Sequence, residues 1–165
     1  MKTKTLVTNA IVAALYVAIT AVLAPLSFGA VQLRFAEMFN HLVVFNKKYI
    51  VGIVSGVFIS NLFFSSLGVY DLVFGVGQSL VALLLTSGLI RKGKVENVWL
   101  KMIINTIVFS LTMAIIAWEL VLVFGLPFWA TYLTTGIGEM IVLVLTMPVM
   151  KALNTYVDFN RRIEK

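Results

Sequence analysis

"VWLKMIINTIVFSLTMAIIAWELVLVF", residues 98–124, decides the fold class of this chain. The stretch holds one lysine near its start, one glutamate near its end and no other charged residue. A helix of about 20 consecutive apolar residues crosses the ~30 Å hydrocarbon core of a bilayer, and this stretch is longer than that. It therefore predicts a membrane-spanning helix.

The rest of the chain has the same character. Hydrophobic residues make up 61% of the 165 residues and charged residues 12%, and the mean hydropathy is +1.02. A segment in lipid must satisfy its own backbone hydrogen bonds, which favours helices, and the strict alternation of a membrane barrel is missing. About six spans of ~20 residues would fill the chain. We expect one all-α integral membrane domain, residues 1–165, with six transmembrane helices.

Hydropathy locates these six helices along the chain. The first is interpreted as a span rather than a signal peptide, because its apolar run is long and further spans follow. The second is short, and we expect it to be tilted or to begin in the membrane interface. The helices are predicted at residues 5–24, 34–45, 49–66, 71–90, 98–124 and 129–153.

The basic residues determine the predicted orientation. With the N-terminus in the cytoplasm, all of the 13 basic residues except Arg34 fall on the inner side, and the outer loops carry none. Cytoplasmic loops are enriched in Lys and Arg, so both termini are predicted to be cytoplasmic. The formal charge of +6 then follows from topology, and we expect no nucleic-acid partner.

Five charged residues avoid the inner side: Arg34, Glu37, Asp71, Glu119 and Glu139. A charge in the hydrocarbon costs at least ~2.5–3.5 kcal/mol on insertion scales, so such residues usually face a cavity or a partner. The topology puts these five in the outer half or near the midplane of the membrane. One cation among four carboxylates predicts a pocket that is open to the outside and suited to a cationic ligand.

Further polar and aromatic residues lie within or beside the predicted spans. Asn61 and Gln78 either line the pocket or make interhelical hydrogen bonds, which contribute only ~0.6 kcal/mol on average. Trp129 is either an interfacial aromatic or a platform for a flat ligand. His41, the only histidine, has no further ligands of metal-site spacing nearby, and we expect a hydrogen-bonded structural role.

Small residues recur on two helices. Ala10, Ala14 and Ala18 lie four residues apart in the first helix, where small side chains let helices approach closely in lipid. The spacing alone does not decide between packing within this chain and docking of another membrane subunit. Gly52 and Gly56 form a GxxxG pair in the third helix, and we assign it to internal packing.

The sequence contains no motif that is typical of an enzyme active site. "GLIRKGKV", residues 88–95, imitates a phosphate-binding loop, but Val95 replaces the metal-binding hydroxyl and the segment follows a membrane helix rather than a strand. The chain has no cysteine, which excludes thiol catalysis and thiolate metal sites. We expect no catalytic residue, no metal, no cofactor and no ATP site in the chain itself.

Four motifs in order along the chain carry a family resemblance: "VQLRFAEMF" at 31–39, "GVYDLVFG" at 68–75, "WELVLVFGLPFW" at 118–129 and "GIGEM" at 136–140. Together they resemble the QueT family. QueT proteins are the substrate-binding S-components of energy-coupling factor (ECF) transporters for queuosine precursors. The chain departs from the family at "NHLVVFNKKY", residues 40–49, which lacks the proline-containing turn expected in relatives; this departure concerns the inner end of the second helix rather than the site.

The resemblance implies a bacterial plasma-membrane protein with a pocket near its outer surface. The loop between the first two helices, Pro25–Leu33, would act as a lid with Gly29 as a flexible point. The Ala face of the first helix would dock on the shared transmembrane T-component. Two ATPase subunits would supply the energy, and the S-component would topple in the membrane to carry its pocket inward.

The ligand that the family implies is 7-aminomethyl-7-deazaguanine (preQ1), which is flat, guanine-like and cationic. Its N1–H and 2-amino donors match one carboxylate and its ammonium another, and its 6-oxo group needs a donor. Glu139 and Glu119 are the first choices for recognition, whereas Arg34 with Glu37 is alternatively a structural pair that fixes the lid. The expected binding residues are Glu139, Glu119, Asp71, Arg34, Glu37, Gln32, Asn61, Gln78 and Trp129.

Two other functions stay open at this stage. An S-component for another small nutrient, a nucleobase or a vitamin, would keep the same architecture. A membrane protein with no role in transport is a more distant alternative, since it would give no reason for four acids in the outer half.

Overall fold

The computed structural model describes residues 3–27, 33–91 and 95–164. Gln32 and most of the predicted lid lie outside these residues. Every regular element in the described part is helical. The helices are α1 (Thr3–Val22), α2 (Ala24–Ser27), a 3-10 helix (Phe35–His41) continuing into α3 (Leu42–Phe45), a 3-10 turn (Lys47–Tyr49), α4 (Ile50–Phe64), α5 (Val69–Leu89), α6 (Val98–Phe124), α7 (Phe128–Val157) and α8 (Phe159–Glu164).

Five helical segments are long and apolar enough to cross a membrane, compared with the six that hydropathy predicts. They are Thr3–Val22, Lys47–Phe64, Val69–Leu89, Val98–Phe124 and Phe128–Val157. The predicted second span is instead the short apolar segment Phe35–Phe45, of which only the last four residues are α-helical. The all-helical membrane fold is therefore confirmed for the described residues, whereas a sixth full-length span is not.

The short segment Phe35–Phe45 lies inside the bundle rather than against lipid. It contacts α7 and α1, while α4, α5, α6 and α7 pack in succession and α1 packs on α4. Its side chains from Phe39 to Val44 are all buried. Irregular backbone at membrane depth is tolerated where protein covers it, which explains why a polar 3-10 helix is stable here.

The stretch 98–124 forms α6 with the predicted bounds, and its ends are set by local chemistry. Asn97 accepts hydrogen bonds from the backbone N–H groups of Trp99 (2.8 Å) and Leu100 (3.4 Å), as an N-cap does. Gly125 follows the helix with φ of 67°, a left-handed conformation that glycine adopts without steric cost.

Helices α1 and α4 cross closely. Gly52 donates its backbone N–H to the Asn9 side chain at 2.8 Å, and a Cβ at this position would lie 2.7 Å from the Asn9 carbonyl oxygen. One turn later, a Cβ on Gly56 would lie 2.7 Å from the Cβ of Tyr16. The assignment of the GxxxG pair to internal packing is confirmed, because only glycine leaves room for α1 at both positions.

Three hydrogen bonds gather both ends of the chain at one end of the bundle. Thr5 donates to the carbonyl of Ile163 (3.0 Å), and Tyr49 donates to the carbonyl of Phe159 (2.7 Å). The Asn46 amide donates to Asn160 Oδ1 at 2.7 Å. We call this the basic end, because among the described residues it carries every Lys and Arg except Arg34, namely Lys4, Lys47, Lys48, Arg91, Lys101, Lys151, Arg161 and Arg162.

Gly56→Ala is expected to destabilise the fold by about 1–3 kcal/mol, because the added methyl group overlaps Tyr16 in a packed crossing. Thermal unfolding in detergent measures the effect. Gly77→Ala is the matched control, since a Cβ there meets nothing within 4 Å. Equal melting temperatures for the two variants would contradict the close α1–α4 crossing.

Candidate functional site

Arg34 and Asp71 form a buried ion pair at the end of the bundle opposite the basic end. The guanidinium Nη2 lies 3.6 Å from Asp71 Oδ1, and both side chains are largely buried. The Ser65 hydroxyl donates to the other carboxylate oxygen of Asp71. The Asn61 amide donates to the Asp71 backbone carbonyl at 2.9 Å, which joins α4 to the first turn of α5. Asp71 is thus held by internal partners on both carboxylate oxygens.

Glu37 is also held by internal partners. Tyr16 of α1 donates its phenolic hydrogen to Glu37 Oε1 at 2.7 Å, and the Asn40 amide donates to Oε2. All three side chains are buried. The 3-10 helix therefore fixes Glu37 against α1, with a donor on each oxygen, and this satisfies most of what a buried carboxylate requires.

Glu119 differs from these two acids. It lies near the end of α6 with 0% of its surface exposed, and neither carboxylate oxygen accepts a hydrogen bond from a described donor. The charges of Asp71 and Arg34 act on it, so it belongs to the same cluster. A buried carboxylate without donors is costly, and such an exception in a native fold calls for a functional explanation.

Glu139 is the second acid with unused accepting capacity. It lies on the buried face of α7, about 16 Å along the helix from its start at 1.5 Å per residue. Its Oε1 is buried and accepts no hydrogen bond from a described donor. Glu37 and Arg34 both act on it electrostatically. The four predicted acids and Arg34 are therefore brought together, although they come from four different helical segments.

Among the described residues the cluster holds four buried carboxyl groups and one guanidinium. Four carboxylates surround Arg34 in a setting where water does not screen them. Among the residues that the structure describes, no three acidic or histidine side chains are close enough together to hold a metal ion. Carboxyl groups in this number can accept hydrogen bonds from several N–H donors of one ligand.

The amides predicted at the pocket serve mainly as interhelical links. Gln78 donates to Thr112 Oγ1 at 3.0 Å and accepts from Ser79 at 3.2 Å, so it joins α5 to α6. Asn61 is used on the Asp71 carbonyl, and Gly75 leaves room for it, since a Cβ at 75 would lie 2.6 Å from the Asn61 nitrogen. For both Asn61 and Gln78, the structure therefore favours the interhelical hydrogen bond over a position lining the pocket.

Trp129 is not brought to the acid cluster. Its side chain is 73% exposed, and its ring packs on Phe128 at 5.2 Å between centroids. Phe128 also stacks on Tyr132 and contacts Trp118, which makes an aromatic group at the start of α7. This arrangement favours the interfacial interpretation of Trp129.

His41 has the structural role that the sequence indicates. Its Nε2 lies 3.0 Å from the Leu143 carbonyl oxygen, and its Nδ1 lies 3.3 Å from the Asn105 amide nitrogen. A neutral imidazole with its proton on Nε2 donates to the carbonyl and accepts from the amide. The histidine thus links the 3-10 helix to α6 and α7 below the acid cluster.

Tyr16 is a cluster residue that the sequence interpretation missed. The sequence did contain a pattern that points to Tyr16: together with Thr5, Asn9 and Thr20 it forms a line of polar residues on the buried face of α1. Side chains at such helical spacing share one face, so a polar line in a lipid-facing sequence indicates the side that meets the protein interior. Ser65 and Asn40 had no comparable pattern.

The Ala face of α1 points outward. Ala10, Ala14 and Ala18 are all exposed in the described structure. Packing against this chain's own helices, one of the two alternatives left open by their spacing, is therefore wrong. Small side chains exposed along a membrane helix leave a shallow surface that another helix can approach closely.

The comparisons with known proteins identify the family. A family model described as QueT transporter matches residues 6–155. The chain belongs to the QueT transporter family. The "Queuosine precursor transporter QueT" of Lactococcus lactis subsp. cremoris (strain MG1363) is 38% identical over 167 residues, covering 97% of this chain and 98% of that protein. No solved structure matches the chain.

Family membership and the helices together define the class of protein. The chain is a multi-pass protein of the bacterial cell membrane and belongs to a family of transporters rather than of enzymes. The family match covers nearly the whole chain, including most or all of each membrane-capable helix and the whole acid cluster.

Tyr16→Phe is expected to lower the stability by about 1–3 kcal/mol, because Glu37 loses a buried hydrogen-bond donor while the ring packing is kept. Thermal unfolding in detergent measures this loss. Tyr156→Phe is the control, since Tyr156 is 88% exposed. If both variants unfold at the wild-type temperature, the Tyr16–Glu37 bond does not hold the 3-10 helix.

Proposed function

We propose that this chain is the S-component of an ECF importer, which captures the queuosine precursor preQ1 from outside the cell and delivers it inward. Three observations support the proposal: the family match, the name of the Lactococcus relative, and a buried cluster rich in carboxylates. The observation that carries the substrate class is the pair of buried acids Glu119 and Glu139: both oxygens of Glu119 and Oε1 of Glu139 accept no hydrogen bond from a described donor.

The chemistry of preQ1 fits these two acids. Its N1–H and 2-amino groups point the same way and donate to both oxygens of one carboxylate, which is the strong bidentate geometry. Its aminomethyl group is an ammonium that pairs with a second carboxylate. Glu119 accepts on neither oxygen and Glu139 leaves one oxygen free of described donors, so each has capacity for one end of the ligand.

The other two acids have a different task in this proposal. Glu37 and Asp71 already accept from Tyr16, Asn40 and Ser65, so they hold the 3-10 helix and α5 in position. Asp71 also pairs with Arg34, whose guanidinium has five N–H donors and supplies one for the 6-oxo group. Arg34 is therefore assigned both to the structure of the pocket rim and to the ligand.

The transport cycle rests on partners that this chain would recruit. The exposed face of Ala10, Ala14 and Ala18 is proposed to dock on a transmembrane T-component, which two ATPase subunits drive. In the proposed orientation both termini are cytoplasmic and the acid cluster faces the outside, where substrate is captured. The segment Pro25–Leu33 joins α1 to the 3-10 helix that carries Glu37 and is assigned the role of lid.

Glu119→Gln and Glu139→Gln are each expected to weaken preQ1 binding by well over tenfold, which corresponds to more than about 1.4 kcal/mol, because each removes a charge-assisted contact. Isothermal calorimetry on the purified protein measures the affinity. Glu96→Gln is the control, since Glu96 is exposed near the basic end. Absence of preQ1 binding by folded wild-type protein would reject the substrate.

Competition separates preQ1 from other small nutrients. The nitrile analogue 7-cyano-7-deazaguanine and guanine keep the pyrimidine edge but lack the ammonium, so they are expected to bind more weakly than preQ1. Water-soluble vitamins are expected not to compete. A vitamin that displaces preQ1, or binds where preQ1 does not, would favour the alternative of an S-component for another nutrient.

Ala14→Leu is expected to abolish co-purification with the T-component and its ATPases while leaving preQ1 binding unchanged, because the bulky side chain blocks close helix approach on an exposed face. Pull-down from membranes measures assembly, and calorimetry measures binding. Ala130→Leu is the control, at an exposed alanine of α7. Full assembly of the Ala14→Leu variant would reject the docking face.

A further inference from the structure

A groove of about 1160 Å³ runs along the outside of the bundle at its basic end, and none of the four acids of the cluster lines it. The N-terminal half of α1 forms one wall, and the last turns of α7 with α8 form the other. Most of its lining is apolar and comes from Val7, Ile11, Val12, Leu15, Phe39, Leu42, Tyr49, Met150, Leu153, Tyr156, Val157 and Phe159.

The groove is polar at one end only. Thr3 and Lys4 open it at the start of α1, and Arg161 and Arg162 face it from α8. Along α1 the apolar lining runs from Val7 to Leu15, which is about 12 Å at 1.5 Å per residue. Half of a ~30 Å hydrocarbon core is about 15 Å, so the apolar part of the groove extends through most of one leaflet.

The charges at the open end favour an anion. Three cations, Lys4, Arg161 and Arg162, line the groove together with a single acid, Asp158. One oxygen of the Asp158 carboxylate, Oδ1, already accepts a hydrogen bond from the Arg161 backbone N–H at 3.2 Å. Basic residues next to a membrane surface attract anionic lipids by about 1 kcal/mol each.

The groove is preformed rather than a gap between loose segments. Its walls are joined by the Thr5 hydrogen bond to the Ile163 carbonyl, and Tyr49 fixes the start of α8 through the Phe159 carbonyl. Phe159 packs its ring on Phe45 at 5.4 Å and on Tyr49 at 6.2 Å. Arg161 and Arg162 are therefore carried on an anchored helix.

We propose that this groove binds one anionic phospholipid, with an acyl chain along α1 and the phosphate between Lys4, Arg161 and Arg162. A zwitterionic lipid is disfavoured because its ammonium group would approach the same three cations. The lining leaves out the Ala10, Ala14 and Ala18 face, and the groove lies at the end of the bundle away from Glu119. The site is thus separate from the proposed ligand and docking surfaces.

The test is native mass spectrometry of the full chain, titrated with phosphatidylglycerol or phosphatidylcholine of identical acyl chains. Wild-type protein is expected to bind one phosphatidylglycerol about tenfold more tightly than phosphatidylcholine. The double variant Lys4→Gln, Arg162→Gln is expected to bind both lipids equally. The double variant Lys47→Gln, Lys101→Gln is the charge-matched control, because both lysines are at the same end but outside the groove, and it should keep the preference.

A second pair of variants tests the apolar part of the groove. Ile11→Trp fills the groove from an exposed position of α1 and is expected to weaken phosphatidylglycerol binding at least fivefold, whereas Leu84→Trp on the exposed face of α5 should not. Equal affinity of the wild type for both lipids would overturn the proposal. So would a double variant that keeps its preference, or a photo-crosslinker at Ile11 that captures a protein subunit instead of lipid.

Calorimetry with preQ1 on the same variants keeps this test independent of the proposed transport function. The lipid variants are expected to bind preQ1 as the wild type does, which also demonstrates that they are folded. Loss of phosphatidylglycerol preference with intact preQ1 binding supports the lipid site. Retained preference in a protein that binds no preQ1 leaves the lipid site standing and rejects only the substrate.

Discussion

The desolvation of charge is the constraint on which this structure depends. Four carboxyl groups and one guanidinium are buried in a bundle whose outer surface is apolar. Burying an ion without partners costs the folded state several kcal/mol. Asn40 of the 3-10 helix donates to Glu37, and Asn61 and Ser65 donate to Asp71. The interior is thus organised around its charges, and apolar packing fills the remainder.

Tyr16 joins this charged centre to the packing of the membrane helices. Its ring lies against Gly56, where no Cβ would fit, and its hydroxyl donates to Glu37. A shift of α1 relative to α4 would therefore move a hydrogen-bond donor of the acid cluster. The same helix carries the exposed Ala face on its other side, so one rigid element contacts the pocket, the neighbouring helix and the membrane-facing surface.

The sequence allowed us to predict the membrane class, the bounds of α6 and the set of buried acids. The acids were predictable because a charged side chain within an apolar segment must face the protein interior rather than lipid. The conformation of residues 35–45 could not be predicted. Hydropathy reports whether a segment is apolar and does not report whether lipid or protein surrounds it, so a covered 3-10 helix was predicted as a span. Trp129 was ambiguous for a related reason, since an aromatic side chain suits both an interface and a pocket. The hydrogen-bond donors to Glu37 and Asp71 could not be predicted either, because they are set by how the helices pack against each other.

The short segment Phe35–Phe45 also constrains how the protein is made. With Glu37, Asn40 and His41 among so few residues, it is too short and too polar to enter the bilayer as an independent unit during synthesis. The groups that cover it include Asn105 and Leu143, both of which contact His41. During synthesis, Asn105 follows His41 by about sixty residues and Leu143 follows it by about a hundred. The final position of the segment is therefore reached only after α6 and α7 have been inserted, so that biogenesis of the acid cluster ends with the last membrane helix.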